Sequence, residues 1–376
     1  MSPTACDGAK PVAKSNGGAK PSARAAAPAA KAAARAARAA ALAAKAAAKP
    51  KLAIFGAASC GGCDIAIINI HEHIVDVANA FDIVLWPTVM DGKYSDIEAM
   101  ADDEITITLV SGSMRTDETI HLARLLRRKS KFVVSFGSCA SEGCIPGLAN
   151  LSSRKQILDT AFSGSSTDNP DDVRPIWEYE VPEGVLHLTA FEPILRTLDQ
   201  VVDVDYTIPG CPPESIQIWA ALEAVIKALN GTGPLPPKGS VLGAGYSTVC
   251  DECARKRDVK KIDKFVRIQQ VAGFDPEICL LEQGLPCNGP ATRNGCGALC
   301  PAVSAPCIGC YGAAEGVVDY GARLMSAFAS VVDATKPEEI DKVLDGIPDP
   351  VGQFYRFSLA GSLLRSGRAA WQNGGE

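Results

Sequence analysis

The sequence predicts an α/β protein: a doubly wound parallel sheet, followed by an irregular region organised around cysteines. Three observations carry this. Between residue 51 and about 235, five short runs rich in β-branched residues, KLAIFGA, FDIVLWPT, ITITLVSGS, KFVVSFGSC and VDVDYTIPGC, are mostly separated by helix-like stretches. Strands that alternate with helices pair in parallel and carry their helices on the sheet faces. Beyond about Pro237 strand signals vanish, Gly and Pro become dense, and eight of the 14 cysteines fall between Cys250 and Cys310.

Taken in order, residues 1–50 form a low-complexity, basic tail rich in Ala and Lys. The tract KAAARAARAAALAAKAAAK has high helix propensity but no apolar face that could bury a core. A solvated tail, a docking arm for an acidic partner, nucleic acid or a membrane surface, and a transit peptide all share that composition. Residues 51–235 read as the α/β domain, with a helix over 115–129 (LARLLRR) and a loop at SGSSTDNPDDVRP inside an irregular stretch, 151–200. Residues 236–376 read as a second domain, too poor in strand signals to be held by apolar burial alone, with a helix over 316–332.

Charge is unevenly spread. Residues 1–51 hold ten Lys/Arg against one acid, whereas the other 325 hold 27 bases against 42 acids. An acidic body opposes phosphate binding, so no nucleic-acid partner is expected. No apolar run approaches a membrane span, and no secretory leader is visible, so a cytoplasmic location is expected. In a reducing compartment this many cysteines point to metal ligation rather than disulfides.

In open α/β sheets ligands sit beyond the carboxyl ends of the strands. Cys60 and Cys63 follow the first strand, Cys139 the fourth and Cys211 the fifth. Four thiols from three strand ends can therefore converge above the sheet, with Gly61, Gly62 and Gly210 permitting close backbone approach. A helix starting near Asp64 would aim N–H groups at an anionic centre. A C-x2-C pair alone suits a zinc clip, a redox dithiol or an iron–sulfur pair. Four converging thiols suit a 4Fe–4S cluster or a structural zinc. Cys144 reads as a small buried hydrophobe, and Cys6 as a free thiol in the tail.

The remaining cysteines, Cys250, Cys253, Cys279, Cys287, Cys296, Cys300, Cys307 and Cys310, make two further sets of four. Two zinc sites would fit the spacing. The interleaved Gly and Pro suit cluster loops, whose N–H groups turn toward sulfurs. Three clusters in one chain make an electron wire, whereas zinc has no such reason to come in threes.

CGGCD, FGSCASEGCIPGLANL, DVDYTIPGCPP, CLLEQGLPCNGPATRNGC and APCIGCYG, in that order, resemble the small subunit of nickel–iron hydrogenases. RKQILD, TDNP and GQFYRFSL resemble the cytoplasmic methyl-viologen-reducing subgroup. The resemblance covers about residues 51–365. It implies a flavodoxin-like domain and an electron-transfer role for the reversible oxidation of dihydrogen to two protons and two electrons. The nickel–iron centre would lie on a large-subunit partner. It implies Cys60, Cys63, Cys139 and Cys211 as proximal ligands, Cys250, Cys253, Cys279 and Cys287 as distal ligands, and Cys296, Cys307 and Cys310 as medial ligands. The cluster ligands take the place of acid–base residues, so no catalytic residue is assigned.

The chain departs from the family pattern twice. Cys250 stands where many relatives have His, and Cys300 offers a fourth medial thiol where many have three and a 3Fe–4S cluster. Both changes give an all-cysteine set, three 4Fe–4S clusters and a lower-potential chain. A C-x3-C-P run can also ligate a neighbouring cluster, which leaves the medial and distal sets open to exchange. An iron–sulfur adaptor, flavoprotein or disulfide reductase is expected at the distal end. His71, His73, His121 and His187 read as surface or interface residues, Asp64 and Glu142 as helix-start or loop residues, and Arg293 as a counter-charge in the cluster loop. The rivals are the subunit of another multi-subunit dehydrogenase, such as a quinone-linked one that usually has one cluster, and a zinc-stabilised scaffold.

Overall fold

The computed structural model describes residues 49–164, 166–271 and 273–364. The basic tail, apart from its last two residues, and Cys6 lie outside them. From Pro50 onward the chain forms one compact unit.

The five expected strands form one sheet: β1 Lys51–Gly56, β2 Asp82–Leu85, β3 Ile105–Ser111, β4 Ser130–Phe136 and β5 Tyr206–Ile208. All pairings are parallel, in the order β2-β1-β3-β4-β5, which is the flavodoxin-like order. The side chains sort by the period of two. Leu52 and Ile54 of β1 join Ile107, Leu109, Val134 and Phe136 on one face. Ala53 and Phe55 join Val110 and Val133 on the other. Central strand β3 is buried along its whole length.

Helices cover both faces. On the first lie α1 (Gly62–Ile68) and α3 (Ser215–Leu229), which pack Ile67, Ile218 and Leu222 against the sheet. On the second lies α2 (Asp117–Lys129) with Ile120, Leu122 and Leu126. Helix α2 begins two residues later than its pattern suggests because Thr116 caps it, accepting the Thr119 N–H at 3.2 Å.

The stretch 151–200 is more regular than expected. It holds a helix, Arg154–Ser163, and an antiparallel hairpin of Glu178–Val181 with Gly184–His187. After β5, residues 236–242 still follow the sheet: Leu242 N–H reaches Thr207 O at 2.8 Å and Gly239 N–H reaches Asp205 O at 2.7 Å.

Beyond that point the described residues contain only isolated bridges and short helices. This region also has an apolar core of its own. Ile262, Phe265, Leu280, Leu285, Leu324, Phe328 and Phe354 gather there with Cys287 and Cys307. The later helix α4, Tyr320–Val331, starts four residues after the expected position, capped by Asp319 at the Ala322 N–H, 2.8 Å away. Among the described residues no helix is long and apolar enough to cross a membrane.

Candidate metal centres

The first set is built by strand ends. Gly61, with φ of 80°, turns the chain between Cys60 and Cys63 at the start of α1. Strand β4 ends at Phe136, and a Cβ on the next residue, Gly137 (φ 81°), would stand 2.6 Å from Cys63 Sγ. Glycine is thus what lets the β4 end approach that thiol. Gly137 N–H bonds to Ile208 O and Ser138 N–H to Gly210 O, each at 2.7 Å, so the β4 and β5 ends that carry Cys139 and Cys211 are fastened together.

Burial pushes the Cys63 thiol up, and the neighbouring sulfurs of Cys139, Cys211 and Cys60 push it further. The four thiols therefore face one another. Cys60 is exposed at the mouth, while Cys63 and Cys139 are buried.

Cys144 is buried in an apolar cluster with Phe357, as expected, and it also touches two of the thiols. Its thiol lies 3.5 Å from Cys211 Sγ and also bonds to Cys139. The Cys144 hydrogen bond holds Cys211 down at about 7 and lowers Cys139 as well. The C-x4-C spacing of Cys139 and Cys144 was the available signal. It becomes a contact only because Gly143 (φ 87°) and Cys144 (φ 51°) both take left-handed backbone.

The second set surrounds a cleft of about 570 Å³ lined by Cys250, Cys279 and Cys287. Burial pushes Cys250 up to about 12, with Cys287, Cys279 and Cys253 adding to it. A Cβ on Gly289 would meet Cys250 Sγ at 3.0 Å and Cys287 Sγ at 3.8 Å, so this loop too is shaped around sulfur.

The third set lies between the other two. Burial pushes Cys310 up to about 12, and its sulfur neighbours are Cys296, Cys300 and Cys211. Burial also raises Cys307, next to Cys287 and Cys310. The Cys211 N–H donates toward the Cys310 sulfur, and the Cys307 N–H reaches Cys287 Sγ at 3.3 Å. The sets thus touch in the sequence first, third, second.

Charges raised by the sequence reading fall around these sets. Asp64 is buried in the first turn of α1 and accepts Trp86 Nε1–H at 2.8 Å. Glu142 is half-buried, and desolvation lifts its carboxyl to about 7 while Arg293 stands near. Arg293 is spent on carbonyls, Ala313 O at 3.1 Å and Gly245 O at 2.7 Å. His73 stacks on Trp219 with ring centroids 4.0 Å apart, and His71, His121 and His187 are exposed.

One residue that sequence reasoning missed is Arg255. It is buried and donates to Pro301 O, Asp275 O, Ile278 O and Ser304 Oγ at 2.8–3.0 Å. It pins the loop after Cys300 to the loop before Cys279.

Among the described residues no three His, Cys, Asp or Glu side chains close on a single metal ion. A structural zinc would need four sulfurs about 2.3 Å from one ion, whereas a 4Fe–4S cluster takes one thiolate at each of four irons. Four-thiol composition and the glycine approaches fit the cluster.

Residues 60–225 match the family model of the NADH ubiquinone oxidoreductase 20 Kd subunit. The iron–sulfur subunit of the F420-non-reducing hydrogenase of Archaeoglobus profundus is 41% identical over 84% of this chain and 97% of its own length. A subunit of the F420-non-reducing hydrogenase of Methanothermobacter thermautotrophicus is 36% identical over 84% of this chain and 96% of its own. A chain of an NAD+-reducing [NiFe]-hydrogenase structure in the H2-reduced state is 25% identical, covering 50% of this chain and 96% of that one, with a TM-score of 0.42.

Proposed function

The chain belongs to the family of these F420-non-reducing hydrogenase subunits, and on that premise we propose how it carries electrons. It is the electron-transfer small subunit of a nickel–iron hydrogenase, an oxidoreductase whose catalytic metals lie on a partner large subunit. It is an iron–sulfur protein, and we assign it three 4Fe–4S clusters. Cys60, Cys63, Cys139 and Cys211 hold the proximal one, Cys296, Cys300, Cys307 and Cys310 the medial, and Cys250, Cys253, Cys279 and Cys287 the distal. We place the complex in the cytoplasm.

When bound, such clusters each accept and release one electron. The chain's own residues place and insulate them. Strand ends fix the first four thiols, and Arg255 ties the loops of the other two sets. The observation that carries the reading is the pair of links between sets, Cys211 with Cys310 and Cys307 with Cys287. They support a relay rather than three separate clips. Burial raises Cys63, Cys250 and Cys310, and neighbouring sulfurs raise them further; iron bound there would favour the thiolates. From the distal end electrons pass to an iron–sulfur adaptor, a flavoprotein or a disulfide reductase.

The test is dihydrogen-driven reduction of methyl viologen by the complex of this chain with its large subunit. Reduction is expected in the complex and not in the large subunit alone. Equal activity without this chain would overturn the role. For the medial assignment, Cys300→Pro should yield a 3Fe–4S signal in the EPR spectrum, and an unchanged spectrum would sink it.

A further inference from the structure

We propose that the rim of the distal cleft docks a small, acidic one-electron carrier protein, held by Arg257, Lys260 and Arg323. The proposal rests on the distal set being the exit of the relay.

Three observations carry it. The cleft that exposes Cys250 and Cys279 is also lined by these three cations. All three are solvent-exposed, and among the described residues none has a carboxylate within ion-pair distance, whereas nearby Lys256 and Lys261 are paired with Glu277 and Asp333. The acids that face the cleft region are otherwise engaged. Glu282 accepts the N–H groups of Asp258 and Val259 at 2.9 and 3.2 Å, and so props up the turn that carries Lys260. Asp251 accepts from Thr248 at 2.9 Å, with Arg257 near enough to lower its pKa further.

The remainder of the chain makes this concentration of positive charge informative. Beyond residue 51 acids outnumber bases 42 to 27, yet among the described residues lining the cleft onto the distal thiols three cations stand against one acid, Glu282. Val259, 69% exposed between them, adds an apolar contact of the kind that fixes register once charge has steered the encounter. A carrier with a negative face is drawn to such a rim, and a cationic one is repelled. The carrier gains one electron per encounter, supplied by dihydrogen oxidation, with no bond formed and no proton exchanged.

The same cations could serve only to balance charge at the centre, so the experiment uses two electron acceptors of opposite sign. In the hydrogenase complex under dihydrogen, reduction of a ferredoxin of net negative charge is followed beside reduction of methyl viologen, a dication. Wild-type ferredoxin reduction should fall about 10-fold or more between low and high salt. The triple variant Arg257→Glu, Lys260→Glu, Arg323→Glu should reduce ferredoxin about 10- to 100-fold more slowly at low salt. Its viologen rate should hold or rise, with iron per chain unchanged. The milder pair Arg257→Gln and Lys260→Gln should give an intermediate loss.

Ferredoxin rates indifferent to both salt and substitution would overturn the docking rim alone. Parallel loss of both acceptors together with iron would overturn it in favour of a charge-balancing role. A wild-type complex that reduces neither acceptor would overturn the relay reading beneath it.

Discussion

The two halves of this molecule are held by different physics. The parallel sheet is buried on both faces by aliphatic side chains, and β3 contributes seven consecutive buried residues. Its cysteines sit at strand ends, and of them only Cys63 joins the core packed on the sheet. The cysteine-rich half has an apolar core as well, but two of its members are the thiols Cys287 and Cys307. Its loops are joined by polar hubs such as Arg255 and Asn288 rather than by strand ladders. One half presents metal sites on a finished scaffold, whereas in the other the sites and the scaffold share residues.

Removing iron should separate the two halves most strongly. After anaerobic chelation, hydrogen exchange should show amides in β1, β3 and β4 as protected as before. Amides between 249 and 312 should lose roughly 100-fold or more of their protection. Equal loss in both halves would mean that the sheet too depends on metal.

Next in size is a substitution in the sheet. Leu109→Ala removes a fully buried side chain from β3 and should cost about 3–4 kcal/mol in denaturant unfolding. Iron per folded chain should stay constant if the comparison is right.

Glu142 tests the seam between the halves, since Gly361 N–H bonds to its carbonyl and Ala313 N–H to its carboxyl. Burial lifts this carboxyl from 4.5 to about 7. The folded chain therefore binds the proton more tightly than the unfolded chain. Stability from this group is full below about pH 4.5 and is lost as pH rises through 7, by about 3 kcal/mol in all. Glu142→Gln should flatten that slope. A slope unchanged in the variant would show that the carboxyl is charged when folded.

The smallest effect is expected at Cys144. Cys144→Ala should cost about 1 kcal/mol through its lost thiol hydrogen bonds, with iron content unchanged. Loss of about four irons per chain would make Cys144 a ligand of the proximal cluster.

What could be read in the sequence follows the same division. All five sheet strands were legible because each is a compact β-branched run, and Cys60, Cys63, Cys139 and Cys211 could be gathered because strand ends share one edge. The hairpin at 178–187 was not legible, since seven of its eight strand residues are exposed and no apolar alternation marks it. The second core was hidden because Ile262, Phe265, Leu280 and Phe354 are scattered along the chain and meet only in three dimensions. The burial of Cys144 was legible, but its sulfur contacts depend on two positive-φ residues that no periodicity reveals.

The central claim is that this chain carries a relay of iron–sulfur clusters. Its most direct test is iron, zinc and acid-labile sulfide per chain in complex purified without oxygen. The account predicts about twelve irons with matching sulfide and no zinc. Zinc near three per chain with no sulfide would contradict it and leave a scaffold in its place.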